Sequence, residues 1–171
     1  MIRTGIKGRQ AFIVPLFLCF AFAGEKIAIV TKIVGKAEYV RKKEPPKGLK
    51  RGFLIESGDE ILTKRDAFVA LVFIDDRSAL KIRERSQIVI NGKKNAKKIS
   101  KKIDLNKGIL RAKVNSNRDF QVQTSVSVAS VKGTDFWVIS DEKTGDSIIG
   151  LKGLVTLLNR VSGDKIDIKS G

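Results

Sequence analysis

The chain has 171 residues, with 34 Lys and Arg against 18 Asp and Glu, which gives a formal net charge of +16 at pH 7. It contains no histidine and one cysteine, Cys19. These counts exclude serine–histidine and cysteine–histidine catalysis and remove the usual ligands of zinc, haem, iron–sulfur and blue-copper sites, so we expect no cofactor. The positive charge favours association with acidic surfaces such as anionic lipid, lipopolysaccharide, teichoic acid or nucleic acid, although a basic composition by itself does not require such a partner.

The first 23 residues differ in composition from the rest of the chain. Basic residues precede an uncharged apolar run, residues 11–23, that ends in Ala21-Phe22-Ala23. This is the layout of a secretory signal peptide with cleavage before Gly24, and the run is short for a membrane span, which needs roughly twenty apolar residues. We therefore expect residues 1–23 to be a signal peptide, or a retained signal anchor, and residues 24–171 to form a domain in the periplasm or elsewhere in the bacterial envelope.

The exported part of the chain is a series of short runs rich in β-branched and aromatic residues. Gly, Pro, Asn and Asp separate these runs, which predicts short antiparallel strands. Residues 41–51 contain two prolines and are predicted to be an exposed loop. The segments 68–74 and 136–139 are apolar on both faces. Segment 68–74 is predicted to be buried, and segment 136–139 is predicted to be a central strand with Trp137 in the core. The predicted fold class is all-β, with about a dozen short strands in a twisted solenoid-like or sandwich-like stack.

The lysine-rich segment 91–102 allows two interpretations. Its six lysines recur at helical spacing, which would give an amphipathic basic helix that binds membrane surfaces or polyanions. At period two, Ile99, Ile103 and Leu105 point one way while Lys98, Ser100, Lys102 and Asp104 point the other, as in an edge strand that lysines protect from aggregation. The edge strand is the favoured interpretation, because it continues the pattern of the neighbouring segments.

Candidate chemistry is sparse in this sequence. Asp75-Asp76 and the loop from Asp141 to Asp146 are the dense carboxylate clusters, and such pairs can serve glycosidases or calcium sites. Adjacent acids in a turn are more often solvated caps of that turn, and no D-x-[DN]-x-[DN]-G loop is present. Aromatic residues make up 6% of the chain, which is few for an RNA-binding sheet. We expect no catalytic residue, no metal site and no specific nucleic acid.

Two blocks of the sequence resemble the FecR-like domain family. The first block carries the family's Gly-Asp, Thr and Ser positions, and the second carries its V-[RK]-G-T-[DE]-F motif and a later glycine-containing strand; the matching residues are Gly58, Asp59, Thr63, Ser78, Ser86, Gly133, Thr134, Asp135, Phe136 and Gly153. The resemblance covers about residues 27–168. It departs from the family at Asp76-Arg77-Ser78, where Asp-Gly-Ser is usual. Because arginine is poor at positive φ, we expect a different type of turn there.

The resemblance implies a function outside the cytoplasm. In the family's founding members the domain is the periplasmic part of a transmembrane regulator that relays a signal from an outer-membrane transporter to a sigma factor. That role needs a cytoplasmic helical domain and a membrane span, and ten residues precede the apolar run here. We therefore expect a non-enzymatic periplasmic binding or scaffold module that takes part in envelope signalling and whose partner is an envelope protein, a cell-wall component or an anionic surface. The alternatives are a signal-anchored component of a transmembrane sensor and a basic polyanion or cell-wall binding protein.

The motif around Gly133 is interpreted as a folding device. A glycine within a strand packs nothing, so Gly133 and Gly153 are expected to mark bulges or close approaches of backbone. Thr134 is expected to hydrogen-bond locally and Phe136 to anchor the core. Asp135 is expected to tolerate replacement by asparagine unless its carboxylate pairs with a buried lysine or arginine.

Overall fold

The structure is a computed structural model that describes residues 24–95, 98–115 and 119–170. All of the regular structure in these ranges is β-strand, which confirms the predicted fold class. The predicted signal segment lies outside the described residues. In chain order the strands are β1 Lys26–Val34, β2 Ala37–Val40, β3 Lys47–Gly48, β4 Leu54–Glu56, β5 Asp59–Thr63, β6 Phe68–Phe73, β7 Ala79–Ile82, β8 Gln87–Asn95, β9 Lys98–Lys113, β10 Phe120–Gln123, β11 Ser127–Val131, β12 Asp135–Asp141, β13 Gly145–Lys152, β14 Leu154–Asn159 and β15 Lys165–Lys169.

The strands form one continuous mixed sheet that folds into two layers around β9. The first half of β9 pairs with β8 and, in parallel, with β10, whereas its second half pairs antiparallel with β7 and β12. Gly108 lies between the two halves with φ +103, and a Cβ at this position would lie 2.5 Å from the Cα of Ser86. A glycine is therefore required where the strand passes from one layer to the other.

The two layers enclose one apolar core. The first layer has the order β4-β1-β6-β7-β9-β12-β13, and the second contains β2, β3, β5, β8, β10, β11, β14 and β15 together with the start of β9. Phe73 of the first layer meets Phe120 of the second edge to face, with ring centroids 6.1 Å apart. Ile27 of the first layer lies against Gly92 of the second, where a Cβ would be 2.8 Å from the Ile27 Cδ1. The arrangement corresponds to the sandwich-like form of the predicted stack.

The described residues of the lysine-rich segment, 91–95 and 98–102, are strand, at the end of β8 and the start of β9, so the helical alternative is wrong. Ile99, Ile103 and Leu105 are buried, as the period-two pattern predicts. The edge position predicted for this segment is right for residues 91–95 and 98–100, which pair with no described strand on their outer sides, and wrong from Lys101 onward, because β9 lies between β8 and β10 along Lys101–Asp104. Strand β10 follows β9 in the chain and returns beside it, and this pairing gives β9 a neighbour on each side. Lys101 shares the buried row with the isoleucines and is 1% exposed.

Strand β12 is central as predicted, since it lies between β9 and β13, but Trp137 is not in the core. Side chains in β12 alternate between the two faces, so that Phe136 and Val138 are buried while Trp137 is half-buried on the outer face of the first layer. The tryptophan differs from the prediction because the apolar residues around it occupy both faces of the strand, and apolar character alone does not indicate which face is covered.

The turn before β7 also differs from the prediction. Arg77 adopts φ +59, the left-handed conformation that glycine usually takes, so the turn is not of a different type. Ser78 is fully buried, with its backbone N–H donating to Asp76 Oδ1 at 2.8 Å and its hydroxyl to Asp76 Oδ2 at 2.9 Å. The Asn115 side-chain amide donates to the Arg77 carbonyl at 3.1 Å. These contacts offset the cost of the unfavourable φ.

The predicted loop at residues 41–51 is largely exposed, as expected, with two additions. The two-residue strand β3 pairs with β2 in this region. Leu49 is buried in the core, because its backbone N–H donates to the Ala37 carbonyl at 2.9 Å and draws the loop against the sheet.

Candidate binding surfaces

The carboxylate of Asp59, the acid of the first motif block, is an internal anchor. It is 1% exposed, and Arg41 donates to both of its oxygens, with Nε–Oδ1 2.7 Å and Nη2–Oδ2 2.6 Å. The Arg41 guanidinium also lies 2.9 Å from Glu56 and packs against the rings of Tyr39 and Phe53, 5.7 and 5.1 Å from their centroids. The hydrogen bond with Asp59 raises the pKa of Arg41. Such a bidentate, stacked arrangement is specific for arginine and leaves Asp59 no free edge for a ligand.

The hydroxyl residues of the first block also bond within the fold. Thr63 donates its hydroxyl to the Arg83 carbonyl at 2.7 Å and accepts the Ser86 N–H at 2.8 Å. The Ser86 hydroxyl in turn accepts the Ile109 N–H at 3.0 Å. These bonds join the end of β5, the turn before β8 and the middle of β9, so Thr63 and Ser86 hold the frame together where β9 changes layers.

The glycines of the motifs occupy positions that only glycine takes easily. Gly58, Gly133 and Gly153 have φ of +89, +65 and +86. A Cβ on Gly153 would lie 3.0 Å from the Gly133 carbonyl oxygen and 2.8 Å from the Thr134 Cγ2, so the two turns approach each other closely, as predicted. Phe136 is fully buried, which confirms its role as a core anchor.

Thr134 does not make the local side-chain hydrogen bond that the sequence suggested. Its hydroxyl oxygen is buried and has no hydrogen-bond partner among the described residues. The backbone carbonyl of Thr134 accepts the Val114 N–H at 2.7 Å instead. The difference arises because the side chain packs with its methyl group on Gly153, and this contact directs the hydroxyl away from the neighbouring backbone.

Asp135 forms a second bidentate ion pair, on the outer face of the first layer. Arg111 donates from Nε to Oδ1 and from Nη2 to Oδ2, both at 2.8 Å, and its guanidinium lies 5.7 Å from the centroid of Trp137. The Arg111 hydrogen bonds hold the pKa of the Asp135 carboxyl below its ordinary value, and the same bonds raise the pKa of Arg111. The Arg111 side chain is 32% exposed, so the predicted exception for a buried cation does not apply, and replacement of Asp135 by asparagine is still expected to be mild.

This pair is the centre of what we call the outer basic face, made up of Lys81, Arg111, Lys113, Asp135 and Trp137. Lys81 lies opposite Arg111 across the sheet, and Lys113 lies opposite Asp135. A shallow cleft of about 130 Å³ is lined by these charged residues and Ala79. Three cations face one carboxylate here, beside a half-buried tryptophan. Sequence reasoning missed this surface, although period-two spacing of Arg111 and Lys113 signalled that they share a face.

A second surface, the end groove, lies where loops meet at one end of the sheets. It has a volume of about 380 Å³, and its lining contains four cations and, among the described residues, no carboxylate; they are Lys64, Arg65, Arg85 and Lys107. Lys64 also pairs with Glu38 at 2.9 Å. An adjoining cleft of about 450 Å³ shares Arg85 and Lys107 but is lined by acids as well.

The acidic clusters serve structure in two different ways. Asp141 caps its own turn, since its Oδ1 accepts the N–H groups of Lys143 and Thr144 at 2.9 Å, as predicted. Asp76 also caps its own turn, since it accepts the Ser78 N–H, and its Oδ2 lies 3.0 Å from the ammonium of the buried Lys101. Asp75 is not a solvated cap: its side chain is 6% exposed and its Oδ2 lies 2.9 Å from the same ammonium. Within the described ranges, no group of three or more His, Cys, Asp or Glu residues is arranged to hold a metal ion.

These features define an all-β domain whose motif residues build its frame and whose surface presents clustered cations. A family model described as FecR protein matches residues 59–156, which is more than half of the chain. The protein belongs to the FecR family, and this confirms the resemblance seen in the sequence. Family membership supports, at a general level, a role in envelope signalling.

Comparison with other proteins adds two findings. No curated protein matches this chain. Among solved structures, the chain is similar to a crystal structure from Parabacteroides distasonis ATCC 8503 described as a "putative anti-sigma factor", with 12% sequence identity and a TM-score of 0.33. The match covers 64% of this chain and 54% of that one, so this chain spans about half of that protein. The described residues contain no helix that is long and apolar enough to cross a membrane.

Proposed function

We propose that this protein is a non-enzymatic binding module of the bacterial envelope that docks an acidic partner protein on its outer basic face as part of envelope signalling. The observation that carries the proposal is that some charged residues are paired within the chain while others stay exposed to a partner. Asp59 and Asp135 are each bound by an arginine of the same chain, whereas Lys81 and Lys113 remain exposed beside Trp137. Membership of the FecR family supports a location in the periplasm or elsewhere in the envelope.

The outer basic face has the physical properties of a protein-binding surface. Arg111 is held by Asp135 on one side and by Trp137 on the other, so it loses little rotamer freedom when a partner binds. Arginine and tryptophan are enriched at the energetic centres of interfaces. Lys81 and Lys113 would steer an acidic partner toward this centre, and such steering weakens with added salt.

The test is photo-crosslinking in intact envelopes. A photoreactive residue at position 113 is expected to capture a partner, whereas the same residue at the exposed Lys50, in the loop between β3 and β4, serves as the control. In the protein that carries the photoreactive residue at position 113, the additional change Lys81→Glu is expected to weaken the crosslinked species strongly, while the additional change Lys50→Glu keeps it. Capture that is equal at both positions, or that survives the charge reversal, would contradict the proposal.

A second candidate function is binding of a polyanion or cell-wall polymer at the end groove. The specific observation is that four cations converge there without a carboxylate in the described lining. The double variant Arg85→Gln, Lys107→Gln is expected to elute from an immobilised polyphosphate column at lower salt than Lys50→Gln, Lys165→Gln, which removes the same number of charges from other surfaces. If the two variants elute at the same salt concentration, then net charge alone determines retention on the column, and the end groove is not a specific site.

The form in which the protein is exported is tested separately. We infer that the signal segment is removed and that the mature protein begins at Gly24 or within a residue or two. Mass measurement on protein purified from its native envelope distinguishes this form from an intact, membrane-tied chain. The intact chain would favour the alternative of a signal-anchored sensor component.

A further inference from the structure

Strand β13 is an edge strand that lacks the usual protection. In the described part of the fold, four strands have a hydrogen-bonded neighbour on one side only: β3, β4, β13 and β15. Strands β3 and β4 have two and three residues, and β15 carries a charge at every second position, Lys165, Asp167 and Lys169. Short length and regular charge are the common means by which proteins block pairing at an edge.

By contrast, β13 is eight residues long and has two charged residues, Asp146 and Lys152, one near each end. Between them it exposes Ile149 and Leu151, which are 49% and 43% accessible. Ile149 lies opposite Trp137 on β12, so it extends the apolar part of the outer basic face to the margin of the sheet. A long, apolar, open edge of this kind is a template for another strand.

We propose that β13 pairs antiparallel with β13 of a second copy of this chain, so that a two-fold axis passes beside Ile149. The sequence of the strand fits this symmetry. With Ile149 opposite its own copy, Ile148 faces Gly150, Ser147 faces Leu151, and Asp146 faces Lys152 of the second copy. A bulky residue thus meets the glycine, and the terminal charges meet with opposite sign.

The charge around the two ends of β13 favours the same arrangement. The loop before β13 carries Asp141, Glu142 and Lys143, and with Asp146 this end has an excess of two negative charges. The other end has Lys152, and Lys132 lies in the turn that packs against Gly153. Antiparallel pairing brings the acidic end of one copy beside the basic end of the other, whereas parallel pairing would bring like charges together.

The inner face of β13 is compatible with a copy beside it. A Cβ on Gly150 would meet the Ile168 Cγ2 at 3.7 Å, and Ile166, next along the inner face of β15, is 56% exposed. Ile148 of the second copy would therefore lie beside Gly150 on the inner face and next to Ile168. This contact extends the apolar interior across the two-fold axis. The first layers of two molecules would form one continuous sheet, with their outer basic faces on the same side.

The test uses the full exported chain and sedimentation velocity over a concentration series. The wild-type protein is expected to form a concentration-dependent dimer. Ile149→Lys and Ile149→Glu each place like charges next to each other on the axis and should each weaken dimerisation at least about tenfold. Mixing these two variants should restore a dimer, because opposite charges then meet. Val161→Lys, at an exposed position in the turn between β14 and β15, should leave dimerisation unchanged.

A second measurement covers the case of a variant that folds poorly. Ile149→Cys is expected to form an intermolecular disulfide on mild oxidation, since directly opposed residues in an antiparallel pair are close enough to be bridged, whereas Val161→Cys is not. A wild-type protein that stays monomeric up to about 100 µM, well above the micromolar dissociation constants of weak specific complexes, would overturn the proposal. So would a dimer that survives Ile149→Lys, or a monomer whose β13 binds a foreign strand instead.

Discussion

Replacing Lys101 by methionine is the sharpest test of how this fold is held together. The Lys101 side chain is completely buried, its ammonium lies 2.9 Å from Asp75 and 3.0 Å from Asp76, and it sits 5.0 Å from the centroid of the Phe73 ring. Methionine is similar in length and keeps the apolar contacts, so the change removes the charge and little else. It leaves Asp75, whose side chain is 6% exposed, and Asp76, whose side chain is 20% exposed, without their countercharge.

The expected loss is about 3–5 kcal/mol of unfolding free energy, the usual cost of removing one partner of a buried ion pair. The hydrogen bonding of Asp75 favours the upper part of this range. Asp75 Oδ1 already has no hydrogen-bond partner among the described residues, so its carboxylate depends on Oδ2, which Lys101 and the Ile99 N–H share. A domain of this size has a total stability of about 5–15 kcal/mol, so the variant would lose a large fraction of it.

Urea denaturation at pH 7 measures the effect, with Lys102→Gln as the matched control. Lys102 is the next residue in the same strand, but its side chain is half exposed and pairs with Asp104 at 3.6 Å, so the control should change stability by about 0.5 kcal/mol or less. Asp75→Asn in the Lys101→Met background should restore part of the loss, with a coupling energy of at least about 1 kcal/mol. A Lys101→Met protein as stable as the control would refute the reasoning.

Three further predictions concern other parts of the sheet. Ile99→Asp and Ile103→Asp should each lower the stability of the fold by a few kcal/mol, because a charge replaces a buried apolar contact. Lys98→Gln should have the melting temperature of the wild-type protein. Equal effects of the isoleucine and lysine variants in thermal melts would contradict the strand assignment. Gly133→Val should lower the free energy of unfolding by about 2 kcal/mol or more, since the backbone φ at this position is +65. A Gly133→Val protein that melts normally yet loses its binding partner would show that the motif is a recognition site instead. Because Arg111 lowers the pKa of Asp135, the ion pair stabilises the fold above the ordinary carboxyl pKa of about 4, and this stability is lost as the pH falls through the lower pKa of the folded state. Acidification should therefore destabilise the wild-type protein more than Asp135→Asn. Parallel curves of stability against pH for the two proteins would count against the pair.

The contribution of Asp76 to stability depends on pH in the same direction as that of Asp135. Burial is the largest influence on this carboxyl and acts to raise its pKa, but hydrogen bonds from Ser78 and Lys101 together lower the pKa below the ordinary value. Its contribution is therefore present at neutral pH and is lost in acid. The Lys101→Met deficit should shrink as the pH falls, because protonation of the Asp76 carboxyl removes its unpaired charge.

Much of the fold was predictable because it depends on local alternation. Ile99, Ile103 and Leu105 are buried as their period-two spacing indicated, and Phe136 anchors the core as its motif suggested. The close approach at Gly153 was also predictable, since a glycine that interrupts an apolar run contributes no packing of its own and leaves room for another segment of backbone. Each of these inferences uses residues within a few positions of one another, where backbone geometry alone determines the relation between side chains.

The errors share a different physical origin. Lys101 looked like one more lysine of a protected edge, yet strand β10 returns beside β9 and the turn at Asp75 brings its countercharge. Trp137 was expected in the core, but a half-buried site over Arg111 accommodates it. Arg77 takes a glycine conformation because Asn115, 38 positions away, binds its carbonyl.

The sequence by itself determined the strand periodicity, the positions that require glycine and the absence of histidine, and hence an all-β domain without histidine-dependent chemistry. The tertiary structure decided which strands lie at edges, which lysine is buried and which cations converge on a surface. The physical reason is that alternation along a strand is a local steric property, whereas the neighbour of a strand and the partner of a charge come from residues distant in the chain, and their positions depend on the free energy of the whole fold.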